Sequence, residues 1–252
     1  MLTGGLGIIL LILIVAFAIF LFGSCGTDYA KADTNTVFVL NNGKIVSTDV
    51  EGFDEKTYDK KALKDYIQET IDTYNAENGK SSLRQKAFNV QDGNAVLVLE
   101  YADADTYQAV NAVELFVGTV AEAKEAGYVF DVNFAKLKDG KAIKASADDF
   151  TKSTDYKVII IRSNTKVVVP GEICFVSTQN VKKVGEDYIY IEEGSLLSVE
   201  EVENAESPTE GSDGSISEDE LVSGDGNNIF DFGEEEENKS QYSEMLTYII
   251  YK

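Results

Sequence analysis

An unbroken apolar run near the start of the chain differs sharply in composition from the residues that follow it. Residues 6–22 contain no charged or hydrogen-bonding side chain. Their 17 residues lie at the lower limit of the about 17–25 that an α-helix needs to cross a bilayer. They also exceed the about 7–15 apolar residues of an ordinary signal peptide. The run therefore predicts that the N terminus engages a membrane, either as a removed signal or as a retained transmembrane helix.

The residues that follow this run favour removal and lipid attachment. The sequence Leu21-Phe22-Gly23-Ser24-Cys25-Gly26 resembles the lipobox of a bacterial lipoprotein signal peptide. The resemblance implies that Cys25 receives a diacylglycerol and becomes the mature N terminus, since small neighbours admit the peptidase and a thiol is the required nucleophile. It further implies a protein on the extracytoplasmic face of the cell membrane. A retained span would place the rest of the chain on the same side.

The globular part also resembles small lipoproteins of clostridial gut bacteria, a resemblance that implies no particular activity. Removal of residues 1–25 leaves enough chain for one sizeable domain or two small ones. The cysteines are Cys25 and Cys174 only. If Cys25 is acylated, Cys174 has no partner for an intramolecular disulfide. Because Cys174 lies in an apolar strand-like run, we expect a buried and unreactive thiol.

The formal charge of −22 is unevenly distributed. Residues 199–239 hold 15 acidic side chains and one basic side chain, Lys239. A segment of this composition buries too little apolar surface to offset the entropy of ordering, so residues 196–240 are predicted to be a disordered acidic loop. Nucleic acid is an unsuitable partner for so acidic a chain without a basic stripe.

The chain contains no histidine and no tryptophan. Ser-His-Asp and Cys-His catalysis need imidazole as a base, and most zinc, iron and copper sites need imidazole or several thiolates. These absences predict a non-enzymatic protein without a cofactor. Tyrosine, present 13 times, remains available for stacking on sugars.

Short turns and one long amphipathic pattern predict the secondary structure. Asn42-Gly43, Asp92-Gly93 and Asp139-Gly140 each separate two apolar segments, which is typical of hairpins. Residues 59–78 predict a helix that Asp59 caps and that ends at Gly79. Its apolar stripe is expected to pack on the sheet of the domain itself; the stripe comprises Leu63, Tyr66, Ile67, Ile71 and Tyr74. Shorter helices are expected over residues 106–113 and 120–126, and a half-buried strand over residues 129–134.

Continuous apolar runs in residues 156–191 suggest strands buried on both faces, and residues 246–251 read as a last strand that returns to the sheet, beside residues 188–191. The predicted fold class is α+β, with a single mostly antiparallel sheet, one main amphipathic helix, several short helices and a disordered acidic segment. The predicted organisation is a leader or anchor at 1–25, a tether at 26–36, a globular domain at 37–195, the acidic loop at 196–240 and the returning strand at 241–252.

Paired carboxylates are the catalytic or metal-binding groups that this composition offers most readily. Glu100, Asp103 and Asp105 cluster where a strand gives way to a helix, and alternating oxygen ligands of this kind suit Ca²⁺ or the hydrolysis of glycosides. The alternative, which we favour, is that Asp103 or Asp105 caps the helix and Glu100 faces water. Residues 223–231 fail the spacing of a calcium-binding EF-hand loop. We therefore expect no specific metal site.

The sequence predicts a lipid-anchored, extracytoplasmic and non-enzymatic interaction or envelope-associated module. Its partners would be the membrane, through the lipid or the span, and an extracellular protein or glycan. Two alternatives stay open. One is a lipoprotein that binds a small solute or glycan in a tyrosine-lined cleft, and the other is a carboxylate-dependent hydrolase.

Overall fold

A computed structural model describes residues 28–200 and 245–252 of the chain. These residues form thirteen strands and three α-helices, so the fold is predominantly β. The first sheet contains β1 Thr36–Val39, β2 Ile45–Gly52, β3 Leu83–Gln91, β4 Asn94–Tyr101, β9 Lys166–Val168, β11 Gln179–Val184 and β12 Tyr188–Leu196. The second contains β5 Leu115–Thr119, β6 Phe134–Lys138, β7 Lys141–Ala145, β8 Lys157–Ile161, β10 Ile173–Ser177 and β13 Thr247–Tyr251. The α-helices are α1 Lys60–Asn78, α2 Ala104–Asn111 and α3 Val120–Glu125.

The strands run in the order β11-β12-β9-β1-β2-β4-β3 in the first sheet and β5-β8-β13-β10-β6-β7 in the second. Within each sheet, neighbouring strands are antiparallel, except that β1 and β9 are parallel. The expectation of a mostly antiparallel β-structure with one long helix and a few short ones is therefore confirmed. The expectation of a single sheet is wrong, because the strands are divided between two sheets.

The physical reason for two sheets lies in strands such as β8, which are apolar on both faces. Ile159 and Ile161 belong to the main core, together with residues of the first sheet such as Val37 and Leu99. Val158 and Ile160 point the other way, into a smaller core that α3 helps to cover. Strand β8 thus contributes side chains to both cores, and the first sheet covers only the face that carries Ile159 and Ile161.

The predicted helix and hairpins form as their local sequences require. The Asp59 carboxylate accepts hydrogen bonds from the backbone N–H groups of Lys61 and Ala62, at 2.7 and 3.1 Å, and so caps α1. Gly79 ends the helix with a φ of 101°. Strands β1 and β2, β3 and β4, and β6 and β7 pair as hairpins across the three Gly-containing turns. Thr119 and Glu122 form the capping box of α3.

Two further expectations differ from the structure, and one strand was not predicted. Residues 129–133 are irregular rather than a strand, and Val129 is 65% exposed. Strand β5 was not predicted, because its five residues fall between two helical patterns. The C-terminal strand β13 lies between β8 and β10 in the second sheet rather than beside residues 188–191, since its residues are buried throughout and need a neighbour on each edge.

The boundaries of the predicted tether and acidic loop extend into ordered structure. The ring of Tyr29 packs edge-to-face on Phe38, with centroids 4.9 Å apart, so the expected tether at 26–36 is partly built into the first sheet. At the other boundary, Leu197 and Val199 pack against the main core, and the Glu200 N–H donates to the Ala142 carbonyl at 2.8 Å. The leader with Cys25 and the acidic residues 201–244 lie outside the described residues.

Candidate functional site

A cavity of about 390 Å³ lies beneath the N-terminal end of α1, against the strands β2, β4 and β3. A volume of this size falls in the range of about 300–1,000 Å³ that small-molecule sites occupy. The lining residues come from α1, from the three strands and from the segment that joins β2 to α1; they are Asp49, Glu51, Gly52, Phe53, Tyr58, Asp59, Ala62, Leu63, Phe88, Ala95 and Leu97. Most of this wall is apolar or aromatic.

The floor of the cavity is set by the register of three strands. Asp49 on β2 lies opposite Leu97 on β4, and Leu97 lies opposite Phe88 on β3. The next row places Glu51 opposite Ala95. Since alternate residues of a strand share one face, Asp49 and Glu51 project from the same side of β2 as the buried Ile45. The cavity is therefore the end of the inner face of the first sheet, where α1 replaces the second sheet as the cover.

The mouth of the cavity is formed by a short, well-connected segment. The Phe53 N–H donates to the Gly93 carbonyl at 2.7 Å, which ties the segment to the β3–β4 turn. Asp54 accepts from the Lys56 N–H and the Thr57 hydroxyl, at 3.0 and 2.8 Å. Phe53 is buried, whereas Tyr58 is 48% exposed, and their ring centroids lie 5.8 Å apart. Two aromatic rings are thus held at the rim, one facing inwards and one reaching solvent.

Asp49 is oriented by two buried hydroxyl groups. The Ser47 hydroxyl donates to Asp49 Oδ2 at 2.9 Å, and the Tyr101 hydroxyl lies 3.2 Å from Ser47 Oγ. Ser47 and Tyr101 are almost fully buried, so this chain of hydroxyls has a fixed geometry. Burial of the carboxylate raises the pKa of Asp49 to about 6, against the opposing effect of the Ser47 hydrogen bond. Burial likewise raises the pKa of Tyr101, and the nearby Asp49 charge adds to that shift.

The charges that line the cavity have one sign. Its charged residues are Asp49, Glu51 and Asp59, and no lysine or arginine is among the described residues that line it. Asn35 donates to Glu51 at 3.5 Å, and Asp59 is occupied as the cap of α1. The Glu51 charge contributes to the raised pKa of Asp49. Asp49 is thus a lining carboxylate whose ionised form is disfavoured both by burial and by a neighbouring negative charge.

The structure does not assemble the three carboxylates that the sequence singled out. Glu100 pairs with Lys44 at 2.8 Å and Lys86 at 3.5 Å, and the Lys44 hydrogen bond is the main reason why the pKa of Glu100 is lowered. Asp103 caps α2 by accepting from the Thr106 N–H at 2.8 Å, and Asp105 is exposed in the first turn. The preferred interpretation of Asp103 as a helix cap is confirmed. Glu100 is engaged by two lysines rather than only by water.

Other residues considered from the sequence occupy ordinary structural positions. Cys174 is half-buried on β10, and burial raises the pKa of its thiol, which makes it a poor nucleophile. Asp149 closes a capping box with Ser146 in a single 3-10 turn. Residues 28–200 and 245–252 contain no group of three or more Cys, Asp or Glu side chains arranged to hold a metal ion. Within the same residues, no helix is both long and apolar enough to cross a membrane.

Sequence reasoning identified the strand that carries Asp49 but not its role. The available signal is the break in pattern after Ile45, where Ser47, Asp49 and Glu51 continue the buried face of β2 with polar side chains. These polar residues can be recognised as facing the interior only when the register of β2 is known. Phe88 and Leu97 lie on either side of the turn predicted at Asp92-Gly93, and a position in a predicted hairpin does not distinguish a cavity wall from a filled core.

The chain matches no family model, no curated protein and no solved structure. The cavity and its side chains are therefore the basis on which function is inferred.

Proposed function

We propose that the domain is a non-enzymatic module that binds a small ligand in the cavity beneath α1, and that an N-terminal lipid on Cys25 or a membrane span holds it at the extracytoplasmic face of the membrane. One observation carries the binding proposal. A largely apolar cavity of about 390 Å³ contains Asp49, a partly buried carboxylate that accepts a hydrogen bond from the buried Ser47 hydroxyl. A few placed polar groups within an apolar wall are typical of small-molecule sites.

The character of the wall favours an apolar or aromatic ligand over a glycan. Sugar sites generally present aromatic faces together with several polar groups that reach the hydroxyls. Tyr58 is the one tyrosine among the described lining residues, so the tyrosine-lined cleft expected for a glycan is not the feature that supports binding here. The remaining wall consists mainly of Phe53, Leu63, Phe88 and Leu97.

The proposal is tested by a fragment screen with ligand-observed NMR on the full-length chain in uncharged detergent micelles. We expect several aromatic fragments to bind the unmodified protein. Ala62→Phe should abolish this binding, because Ala62 lines the cavity from an exposed position on α1. Ala109→Phe is the matched control, since Ala109 is exposed on α2 and does not line the cavity. Equal binding by both variants would show that the cavity is not the ligand site.

A second candidate function is carboxylate-dependent hydrolysis, favoured by the pairing of Asp49 with Glu51. The Cα atoms of residues two apart on one face of a strand lie ~6.6 Å apart, a spacing that allows their carboxyl groups to reach the roughly 5–9.5 Å separation of glycosidase pairs. The pKa of Asp49, raised to about 6, suits a general acid. Release of nitrophenol from a panel of nitrophenyl glycosides, lost in Asp49→Asn and Glu51→Gln, would support this candidate. The absence of turnover across the panel would remove it.

A further inference from the structure

The cavity combines aromatic rings with negative charge, which restricts the class of ligand that it suits. Phe53, Tyr58 and Phe88 contribute rings to its wall, and Leu63 and Leu97 contribute aliphatic groups. Aromatic faces attract cations through their quadrupole and also accept apolar groups. A ligand that carries both an apolar body and a positive charge would therefore use the whole wall, whereas a purely polar ligand would not.

An anionic ligand would meet repulsion in this cavity. Every described charged residue in the lining is a carboxylate, and the nearest helix N terminus is already satisfied by Asp59, which accepts from the Lys61 and Ala62 N–H groups. The partial positive charge at the start of α1 is thus neutralised and does not form an anion site. A cation would instead relieve the electrostatic cost of the partly desolvated Asp49 carboxylate.

A bare metal ion also fits poorly. Ca²⁺ takes about 6–8 oxygen ligands. Asp49 Oδ2 already accepts from Ser47, Glu51 accepts from Asn35, and the remaining wall is largely carbon. An organic cation needs one counter-ion and apolar contacts, and the cavity offers these.

We propose that the cavity selects small organic cations, in which an ammonium group is joined to an aromatic or apolar body, and that Asp49 is the counter-ion. This inference rests on the proposed ligand-binding function and specifies its ligand class. The ammonium group lies against Asp49, and the apolar body lies along the row formed by Phe88 and Leu97. Glu51 adds to the negative potential without a dedicated contact.

Binding should depend on pH, because the charge of Asp49 does. The groups that interact with Asp49 are Ser47 and Glu51 on β2 and Tyr101 on β4. Asp59 at the start of α1 lines the same cavity. Below pH 6 the Asp49 carboxylate becomes protonated and the attraction for a cation weakens. A neutral ligand would not show this loss.

Three matched probes test the inference: 2-phenylethylammonium, 2-phenylethanol and phenylacetate, which share one ring and differ in charge. Dissociation constants are measured by NMR titration of the full-length chain in uncharged detergent micelles, with empty micelles as the blank. We expect the ammonium probe to bind at least about tenfold more tightly than the alcohol at pH 8, since a hydrogen bond to a charged partner is worth that factor or more. We expect phenylacetate to bind least. The preference for the cation should shrink at pH 5.

Substitutions assign the preference to Asp49. Asp49→Asn keeps the shape of the side chain and should remove the advantage of the ammonium probe while leaving the affinity for 2-phenylethanol within about twofold. Asp105→Asn is the control, because Asp105 is exposed on α2 outside the cavity. A melting curve for each variant verifies that it is folded.

The possible results separate this inference from the broader proposal. If 2-phenylethanol or phenylacetate binds as tightly as the ammonium probe, or if Asp49→Asn retains the full cation preference, the cation inference is wrong and the ligand-binding proposal stands. If none of the three probes binds, the inference is also wrong, and the fragment screen with Ala62→Phe decides separately whether the cavity binds any ligand.

Discussion

Replacement of Asp49 by Asn should stabilise the folded domain at neutral and alkaline pH. The pKa of Asp49 is raised from 3.8 to about 6 in the folded protein. The folded state therefore holds this proton more tightly than the unfolded state does. The stability that this bound proton contributes is present in full below pH 3.8 and is lost as the pH rises to about 6. Above that pH the folded domain carries an ionised carboxylate in an unfavourable place.

The size of the effect follows from the shift. A change of about two pKa units corresponds to about 3 kcal/mol. This value is an upper bound, because Asp49 is half-buried and its carboxylate keeps part of its hydration. Asp49→Asn has no charge to lose, so its stability relative to the parent should rise by about 1–3 kcal/mol between pH 4 and pH 7 and then stay constant.

Urea unfolding of the full-length chain in uncharged micelles, followed by far-ultraviolet circular dichroism at pH 4, 5, 6 and 8, measures this difference. Circular dichroism is suitable because the chain lacks tryptophan. The difference between the two proteins isolates Asp49 from the other carboxylates, because every other side chain is unchanged. If Asp49→Asn is no more stable than the parent at pH 8, burial does not destabilise the ionised Asp49 carboxylate, and the environment described for Asp49 in the cavity is wrong.

Further predictions concern the fold. Ile159→Ala should lower the free energy of unfolding by about 2–5 kcal/mol, because Ile159 is fully buried between the sheets, whereas Val129→Ala, at a 65% exposed position, should change it by less than about 0.5 kcal/mol. Asp59→Ala should cost about 1 kcal/mol in the same urea titration through loss of the α1 cap, and an unchanged midpoint would show that the cap is not formed. Removal of residues 246–252 should abolish cooperative unfolding, because β13 joins β8 to β10 in the middle of the second sheet; a truncated chain that still melts cooperatively would contradict this topology.

Local features of the fold were predictable where a few adjacent residues determine the backbone. Asp92 and Gly93 adopt positive φ angles of 54° and 78°, as do Asp139 and Gly140 at 52° and 75°, which is the geometry expected of such dipeptides in tight hairpins. Asp59 and Gly79 likewise delimit α1. These features depend on contacts within a few residues, so the local sequence is enough to predict them.

The arrangement of the sheets was not predictable in the same way. Strands β8 and β9 are separated by four residues, yet they belong to different sheets. The apolar run of β8 indicates burial on both faces but does not say what covers each face. Strand β13 pairs with β8 and β10 from far along the chain, and an isolated apolar segment does not specify its neighbours.

The candidate site was not predictable for the same reason. The polar residues Ser47 and Asp49 follow a strand signal, and an ordinary solvent-facing edge would have the same pattern. The register with Leu97 and the position of α1 place them inside, and both depend on long-range packing. Glu100 and Asp103, close in sequence, instead serve separate structural purposes, and Asp105 is exposed.

The central claim is that a ligand occupies the cavity beneath α1 beside Asp49. Intermolecular nuclear Overhauser effects between 2-phenylethylammonium and a methyl-labelled sample test it most directly. We predict contacts to the methyl groups of Ala62, Leu63 and Leu97, and their loss in Ala62→Phe. Contacts confined to methyl groups elsewhere, such as those of Val168 on the opposite face of the first sheet, would contradict it.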